Sequence, residues 1–289
     1  MPLILALACA FRGVEVEHAP VTELELVRVR GDQRLFVAVD NGWGESIWFL
    51  DTGYSDTTCD QDWVESIGVQ HRATVYSSHG VGWVRLRKAK LPAFELGQHQ
   101  VTALPCAVRH LPETSSVPEG VAGVLGTNLL REFVVEIDRT DGVLRLHDPE
   151  HWSGEADFEL KRELGTIRLR APVTLDGVTT WPVLDTGATS SWLRAERMGL
   201  PELEPRHLMV TGTGSGGPQH QVVRVFGADS ASIGSLDSGP LQVYERESRF
   251  RDPLLGMDLV GRYDLVLDYP ERQGSVSLSD PARLRRVGL

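Results

Sequence analysis

Trp48-Phe49-Leu50-Asp51-Thr52-Gly53 is an apolar run that ends in a carboxylate, a hydroxyl and a glycine, and the pattern returns 134 residues later as Trp181-Pro182-Val183-Leu184-Asp185-Thr186-Gly187. Further on, Val124-Leu125-Gly126-Thr127-Asn128-Leu129 recurs at an offset of 130 as Leu254-Leu255-Gly256-Met257-Asp258-Leu259. That same offset of 130 carries Phe133 onto Tyr263, Ile137 onto Leu267 and Asp138 onto Asp268. Landmarks that repeat in one order form a register, the mark of an internal duplication, and they decide the architecture before any local assignment. From Asp to the later Gly is 75 residues in the first half and 71 in the second, so the halves differ by a few loop residues.

Both halves read as mostly β. Phe36 to Val39 and Val173 to Leu175 are strand-like, and Asn41-Gly42 and Asp176-Gly177 supply turn residues that tolerate positive φ. Val84, Leu86, Phe94 and Leu96 alternate ahead of Gly97, as Val223, Val225, Ala231 and Ile233 do ahead of Gly234. Helix is expected only in short pieces, at Asp60 to Ile67, Asn128 to Phe133 and Leu193 to Met198. The polar stretch from Asp148 to Glu163 reads as the connection between halves, giving units of 21–150 and 151–289 behind a leader at 1–20.

Composition narrows the function. With 29 Lys and Arg against 40 Asp and Glu, the formal charge is −11, which opposes a nucleic-acid partner. The densest basic run, Arg85-Leu86-Arg87-Lys88, reads as an exposed strand edge. The apolar run from Leu3 to Ala10 is too short to span a bilayer. It does resemble a signal-peptide core, with Ala6, Ala8 and Ala10 offering a cleavage site and Cys9 a lipidation site, although a basic flank is missing. Export, whether periplasmic, secreted or lipid-anchored, is therefore expected over a cytoplasmic location. Cys59 and Cys106 are free to pair or not, and no His or Cys spacing suggests a metal, so neither metal nor organic cofactor is expected.

Each Asp closes an apolar strand, where burial disfavours its charged form. If the halves pack about a pseudo-twofold axis, Asp51 and Asp185 meet from equivalent positions. Two carboxyls in contact share one proton and provide an acid and a base together, enough to activate a water against a carbonyl. The hydroxyls of Thr52 and Thr186 can brace the opposite backbone, and Gly53 and Gly187 let each turn close on its carboxylate.

These paired motifs resemble the pepsin and retropepsin superfamily of aspartic peptidases, over roughly residues 20 to 280 and as a retropepsin-like unit duplicated within one bacterial-type chain. The resemblance implies an all-β, bilobal pepsin-like fold of two pseudo-twofold-related β-barrel lobes with a few short helices. It implies an aspartic endopeptidase acting on a peptide or protein substrate without a covalent intermediate, in a monomer. Asp51 and Asp185 would be the catalytic pair, supported by Thr52, Gly53, Thr186 and Gly187. Val124-Leu125-Gly126 and Leu254-Leu255-Gly256 would pack beneath the two active-site loops. Flap candidates are Tyr76, Ser78, His79 and Gly80 in the first half and Gly212, Thr213 and Gly214 in the second.

Two departures stand out. Tyr54 occupies the position after the first motif, where the family has a small residue, and it is free to point outward, to bond Asp51 or to obstruct the cleft. Ala188 removes a hydroxyl donor from Asp185, which predicts a working pH less acidic than that of digestive members. The rival reading is a catalytically inactive peptide-binding protein with the same fold, for which Tyr54 is the best argument. A third, pairing of each half with a half of another chain, is made unnecessary by the duplication. Gly212-Thr213-Gly214-Ser215-Gly216-Gly217 matches a dinucleotide fingerprint but leads into a strand-like run, so it reads as a hairpin tip. His79 reads as a loop residue, Trp83 as core, and Asp138 and Asp268 as turn residues.

Overall fold

The computed structural model describes residues 13–29, 32–71, 73–78, 83–111, 117–164, 166–214, 217–246, 253–279 and 285–287. They are predominantly β, in five sheets. The largest sheet takes strands from both halves, and its register follows the sequence repeat. Val134–Asp138 runs antiparallel to Tyr263–Asp268, with Val134 opposite Asp268 and Ile137 opposite Leu265, so equivalent strands of the duplication pair with each other. Asp138 and Asp268 then close equivalent turns, each accepting the backbone N–H of the residue three further on, Asp141 at 2.7 Å and Glu271 at 2.9 Å.

The strands that deliver the motifs are built alike. Glu45–Leu50 passes from an exposed first residue to four buried ones, and lies parallel to Val121–Leu125, with Phe49 opposite Val124 and Leu50 opposite Leu125. Val183–Leu184 lies parallel to Leu254–Leu255 in the same manner. The apolar pairs that precede Gly126 and Gly256 are thus the neighbours of the motif strands, and strands buried on both faces read as unbroken apolar runs. Both glycines are required by contact: a Cβ on either would come within 2.5 Å of backbone, that of Asp56 beside Gly126 and of Ser190 beside Gly256.

Local chemistry explains the short elements. Asp176 and Gly177 both have positive φ, 47° and 82°, and join Val173–Leu175 to Val178–Thr180 as a tight hairpin. Helix Gln61–Ser66 is capped by Asp60, whose Oδ1 accepts from the N–H of Asp62 at 2.9 Å and of Trp63 at 3.3 Å.

Several expectations need correction. The helix expected over Asn128 to Phe133 is Thr127–Leu130, stopping early because Phe133 is already feeding the next strand. The one expected over Leu193 to Met198 is a 3₁₀ turn, Ala195–Met198, because the N–H groups of Trp192 and Leu193 bond Leu254 and Tyr244 and keep that stretch extended. A further short helix, Met257–Val260, repeats Thr127–Leu130. The basic run Arg85 to Lys88 is not at a sheet edge, since its strand Trp83–Lys90 has Ala73–Ser78 on one side and Pro105–Arg109 on the other. The connection from Asp148 to Glu163 includes two short strands, Phe158–Glu159 and Lys161–Arg162, and both of its end residues are buried. Upstream, Glu15–Glu17 pairs with His99–Thr102, so the chain enters the fold before residue 21.

Cys59 and Cys106 form a disulfide with their Cα atoms 5.9 Å apart. No helix among the described residues is long and apolar enough to cross a membrane.

Candidate active site

The two Asp-Thr-Gly turns meet through a reciprocal set of hydrogen bonds. The Thr52 backbone N–H donates to Thr186 Oγ1 at 3.1 Å, and the Thr186 N–H donates to Thr52 Oγ1 at 3.1 Å. Each hydroxyl then donates onward into the opposite strand, Thr52 to the Leu184 carbonyl at 2.8 Å and Thr186 to the Leu50 carbonyl at 2.7 Å. Both threonines are buried, so all four bonds are shielded from water. Asp51 and Asp185 are anchored from behind by their own N–H groups, which bond the carbonyls of Leu125 at 3.2 Å and Leu255 at 3.0 Å.

Each glycine makes room for the opposite carboxylate. A Cβ on Gly53 would fall inside the Asp185 side chain, and one on Gly187 inside that of Asp51. The N–H of Gly53 donates to Asp51 Oδ1 and that of Gly187 to Asp185 Oδ1, both at 2.9 Å. The two carboxyls thus face each other where the turns meet. Burial pushes Asp51 well above the ordinary carboxylate range, helped by the facing charge of Asp185 and opposed by the Gly53 N–H and Arg34. Asp185 is also raised by burial, but the N–H groups of Gly187 and Ala188 and the charge of Arg168 pull it back. Both carboxyls are raised, so the pair holds one shared proton over a middle pH range.

Beneath each turn lies a polar anchor whose role the sequence did not reveal. Asn128 Oδ1 accepts from the backbone N–H of Thr57 at 2.7 Å and from its hydroxyl at 2.8 Å. In the second half, Asp258 accepts from the Ser191 N–H at 2.8 Å and the Ser191 hydroxyl at 2.6 Å. Asn128 and Asp258 sit inside the repeated apolar-Gly segment, and Thr57 and Ser191 are 134 residues apart, so the repeat offset was the signal that could have found them.

The Tyr54 hydroxyl accepts from Arg109 Nη2 at 2.7 Å, and the guanidinium lies 5.7 Å from its ring centre. Tyr76 and Ser78 fall in strand Ala73–Ser78, which ends opposite Trp83. Gly212, Thr213 and Gly214 end strand Glu202–Gly214, with Gly214 opposite Gly217. Both segments are arms of hairpins. His79 and Gly80 lie outside the described residues. Among those residues, no group of three or more His, Cys, Asp or Glu could hold a metal ion.

No curated protein sequence matches the chain. Residues 171–259, which carry Asp185-Thr186-Gly187 and Leu254 to Leu259, match the family model described as aspartyl protease, and this match supports an aspartyl protease family for the chain.

Proposed function

We propose that the protein is an aspartic endopeptidase whose two halves are pseudo-twofold-related, retropepsin-like lobes, with Asp51 and Asp185 as the catalytic pair. The observation that carries this is the reciprocal Thr52–Thr186 lock, which holds two carboxyls facing each other, each against the glycine of the opposite turn. A bridge of four bonds is a means of fixing two turns relative to each other, as a shared-proton pair requires. Against the inactive-binder reading, both aspartates are present and face each other.

In the reaction, the ionised carboxyl of the pair takes a proton from a water while the protonated one gives its proton to the oxygen of the scissile amide. The water oxygen bonds the carbonyl carbon and a tetrahedral diol forms. Collapse of the diol passes a proton to the departing nitrogen, breaks the C–N bond and returns the pair to one shared proton. An extended peptide would lie between the lobes by strand-like pairing, under flaps formed by the hairpins of Tyr76 to Gly80 and Gly212 to Gly214. Because burial raises both carboxyls, activity is expected at a pH less acid than that of digestive aspartic peptidases. The disulfide supports export to an oxidising compartment, and the in-chain duplication supports a monomer.

The test is cleavage of a diverse peptide mixture between about pH 3 and 7, read by mass spectrometry, for wild type, Asp51→Asn and Asp185→Asn. Cleavage by wild type that falls by about 10³-fold or more in both folded variants is the expected result. Wild type that leaves every peptide intact, or cleavage that survives in Asp185→Asn, would overturn the proposal.

A further inference from the structure

Two arginines stand at matched positions, Arg34 and Arg168, each 17 residues ahead of its Asp-Thr-Gly aspartate. Each is gripped by a nearby carboxylate. Arg34 Nε and Nη2 donate to Asp32 at 2.9 and 2.5 Å, and its guanidinium carbon sits 4.6 Å from the ring centre of Phe49. Arg168 Nε donates to Glu163 Oε2 at 2.6 Å, with Nη2 on the same oxygen. Glu163 is itself buried and fixed further by Arg170 Nη2 at 2.6 Å and the Thr166 hydroxyl at 2.9 Å.

This fixation leaves the Nη1 edge of Arg168 facing across the molecule. Nη1 donates to the carbonyl of Gly53 at 3.3 Å, in the turn of the other half. Gly53 is the residue whose N–H holds Asp51 and whose Cα rests against the Asp185 carboxylate. A single guanidinium of the second half thus pins the first-half turn that forms a wall for Asp185.

We propose that Arg168, clamped by Glu163, is a positioning residue for the carboxyl pair: it locks the Gly53 turn across the interface and lays its positive charge against the turn that walls the Asp185 carboxylate. This rests on the peptidase reading for its consequence in catalysis, but not for its electrostatics. The charges facing the pair are Arg34 on the Asp51 side and Arg168 on the Asp185 side, with the neutral phenols of Tyr54 and Tyr269 near Asp51. Arg168 itself faces Glu163, which it shares with Arg170. Arg34, at the matched position in the first half and facing Asp51, is the internal comparison.

The experiment is a pH titration of the full chain carrying ¹³C-carboxyl aspartate, followed by NMR, for wild type, Arg168→Gln, Arg168→Lys and Arg34→Gln, with peptide kinetics alongside. In Arg168→Gln the lower titration of the pair, and with it the acid limb of kcat/KM, is expected to rise by about one pH unit. In the same variant kcat is expected to fall about tenfold or more while KM stays within about threefold. Arg168→Lys keeps the charge and loses the fork, so its titration returns to within about 0.3 unit of wild type while kcat stays low. A folded Arg168→Gln with the wild-type titration overturns the inference. If Arg168→Gln lacks the native near-ultraviolet dichroism, Arg168→Lys decides: low kcat with a wild-type titration supports it, and wild-type kcat overturns it. A wild type that cleaves nothing defeats the peptidase reading alone, because the NMR titration needs no turnover.

Discussion

The halves anchor their motif turns with different chemistry. In the first, one neutral amide does two jobs: Asn128 Oδ1 accepts from Thr57, and Nδ2 donates to the Pro105 carbonyl at 3.3 Å, at the start of strand Pro105–Arg109. In the second, the jobs are divided. Asp258 accepts from Ser191, while Arg262 donates to the Pro240 carbonyl at 2.8 Å, just ahead of strand Leu241–Arg246, and through Nε to the Asp258 carbonyl at 2.8 Å. The difference shows that the fold demands satisfied donors beneath each turn rather than a particular residue, and that an acid can serve there when a guanidinium accompanies it.

The halves also differ in covalent support, and breaking this should have the largest effect. The Ala107 N–H bonds Thr57 O at 2.9 Å, and Tyr244 N–H bonds Ser191 O at 2.9 Å, so Leu193 and Val243 stand where Cys59 and Cys106 are. Both of these apolar residues are buried. The disulfide closes a loop across a sequence separation of 47, and replacing both cysteines by alanine should destabilise the protein by about 4 kcal/mol. Urea unfolding with and without reductant would measure it. A loss below about 1 kcal/mol would mean that packing alone carries both halves.

Exchanging the anchors sharpens the comparison further. Asn128→Asp places a carboxylate against the Pro105 carbonyl with no guanidinium in the role of Arg262, and should cost about 3 kcal/mol at pH 7. A protonated carboxyl could again donate to Pro105, so this loss should shrink on acidification. Asp258→Asn keeps an acceptor for Ser191 and should cost only about 1 kcal/mol. Burial raises Asp258 above the ordinary carboxylate range, so the native state holds that proton more tightly than the unfolded chain. Its contribution is then complete below the unfolded value near pH 4 and is lost as pH rises through the folded value. Denaturation midpoints from about pH 4 to 8 should accordingly fall less steeply in Asp258→Asn than in wild type.

The repeat offset made the duplication legible, and with it the Thr52–Thr186 lock and the meeting of Asp51 with Asp185, because both follow from equivalent positions in the two halves. The same offset would have paired Met257–Val260 with Thr127–Leu130, but four-residue helices carry too few turns for periodicity to register. Arg34 and Arg168 were hidden for another reason. The offset of 134 relates them to each other, but their importance lies in contacts with Asp32, Glu163 and Gly53 that the repeat does not encode. The basic residues of strand Trp83–Lys90 suggest an edge, but pairing is set by backbone neighbours, which it has on both sides.

The smallest expected effect concerns the residues that follow the two motifs, Tyr54 and Ala188. Ala188 contributes a backbone N–H to Asp185, whereas the Tyr54 hydroxyl is engaged by Arg109 on strand Pro105–Arg109. Burial raises the Tyr54 phenol above its ordinary value, which keeps it neutral and an acceptor for that guanidinium throughout the range in which the carboxyl pair titrates. Tyr54→Phe therefore removes one hydrogen bond at a half-buried site and should destabilise by about 1 kcal/mol. Because the hydroxyl is turned to Arg109 rather than used in proton transfer, kcat should stay within about twofold of wild type and both limbs of the pH profile should be unmoved. A fall in kcat of tenfold or more at unchanged stability would instead make Tyr54 part of the chemistry, and the asymmetry between the two halves would then extend from their supports to the reacting groups.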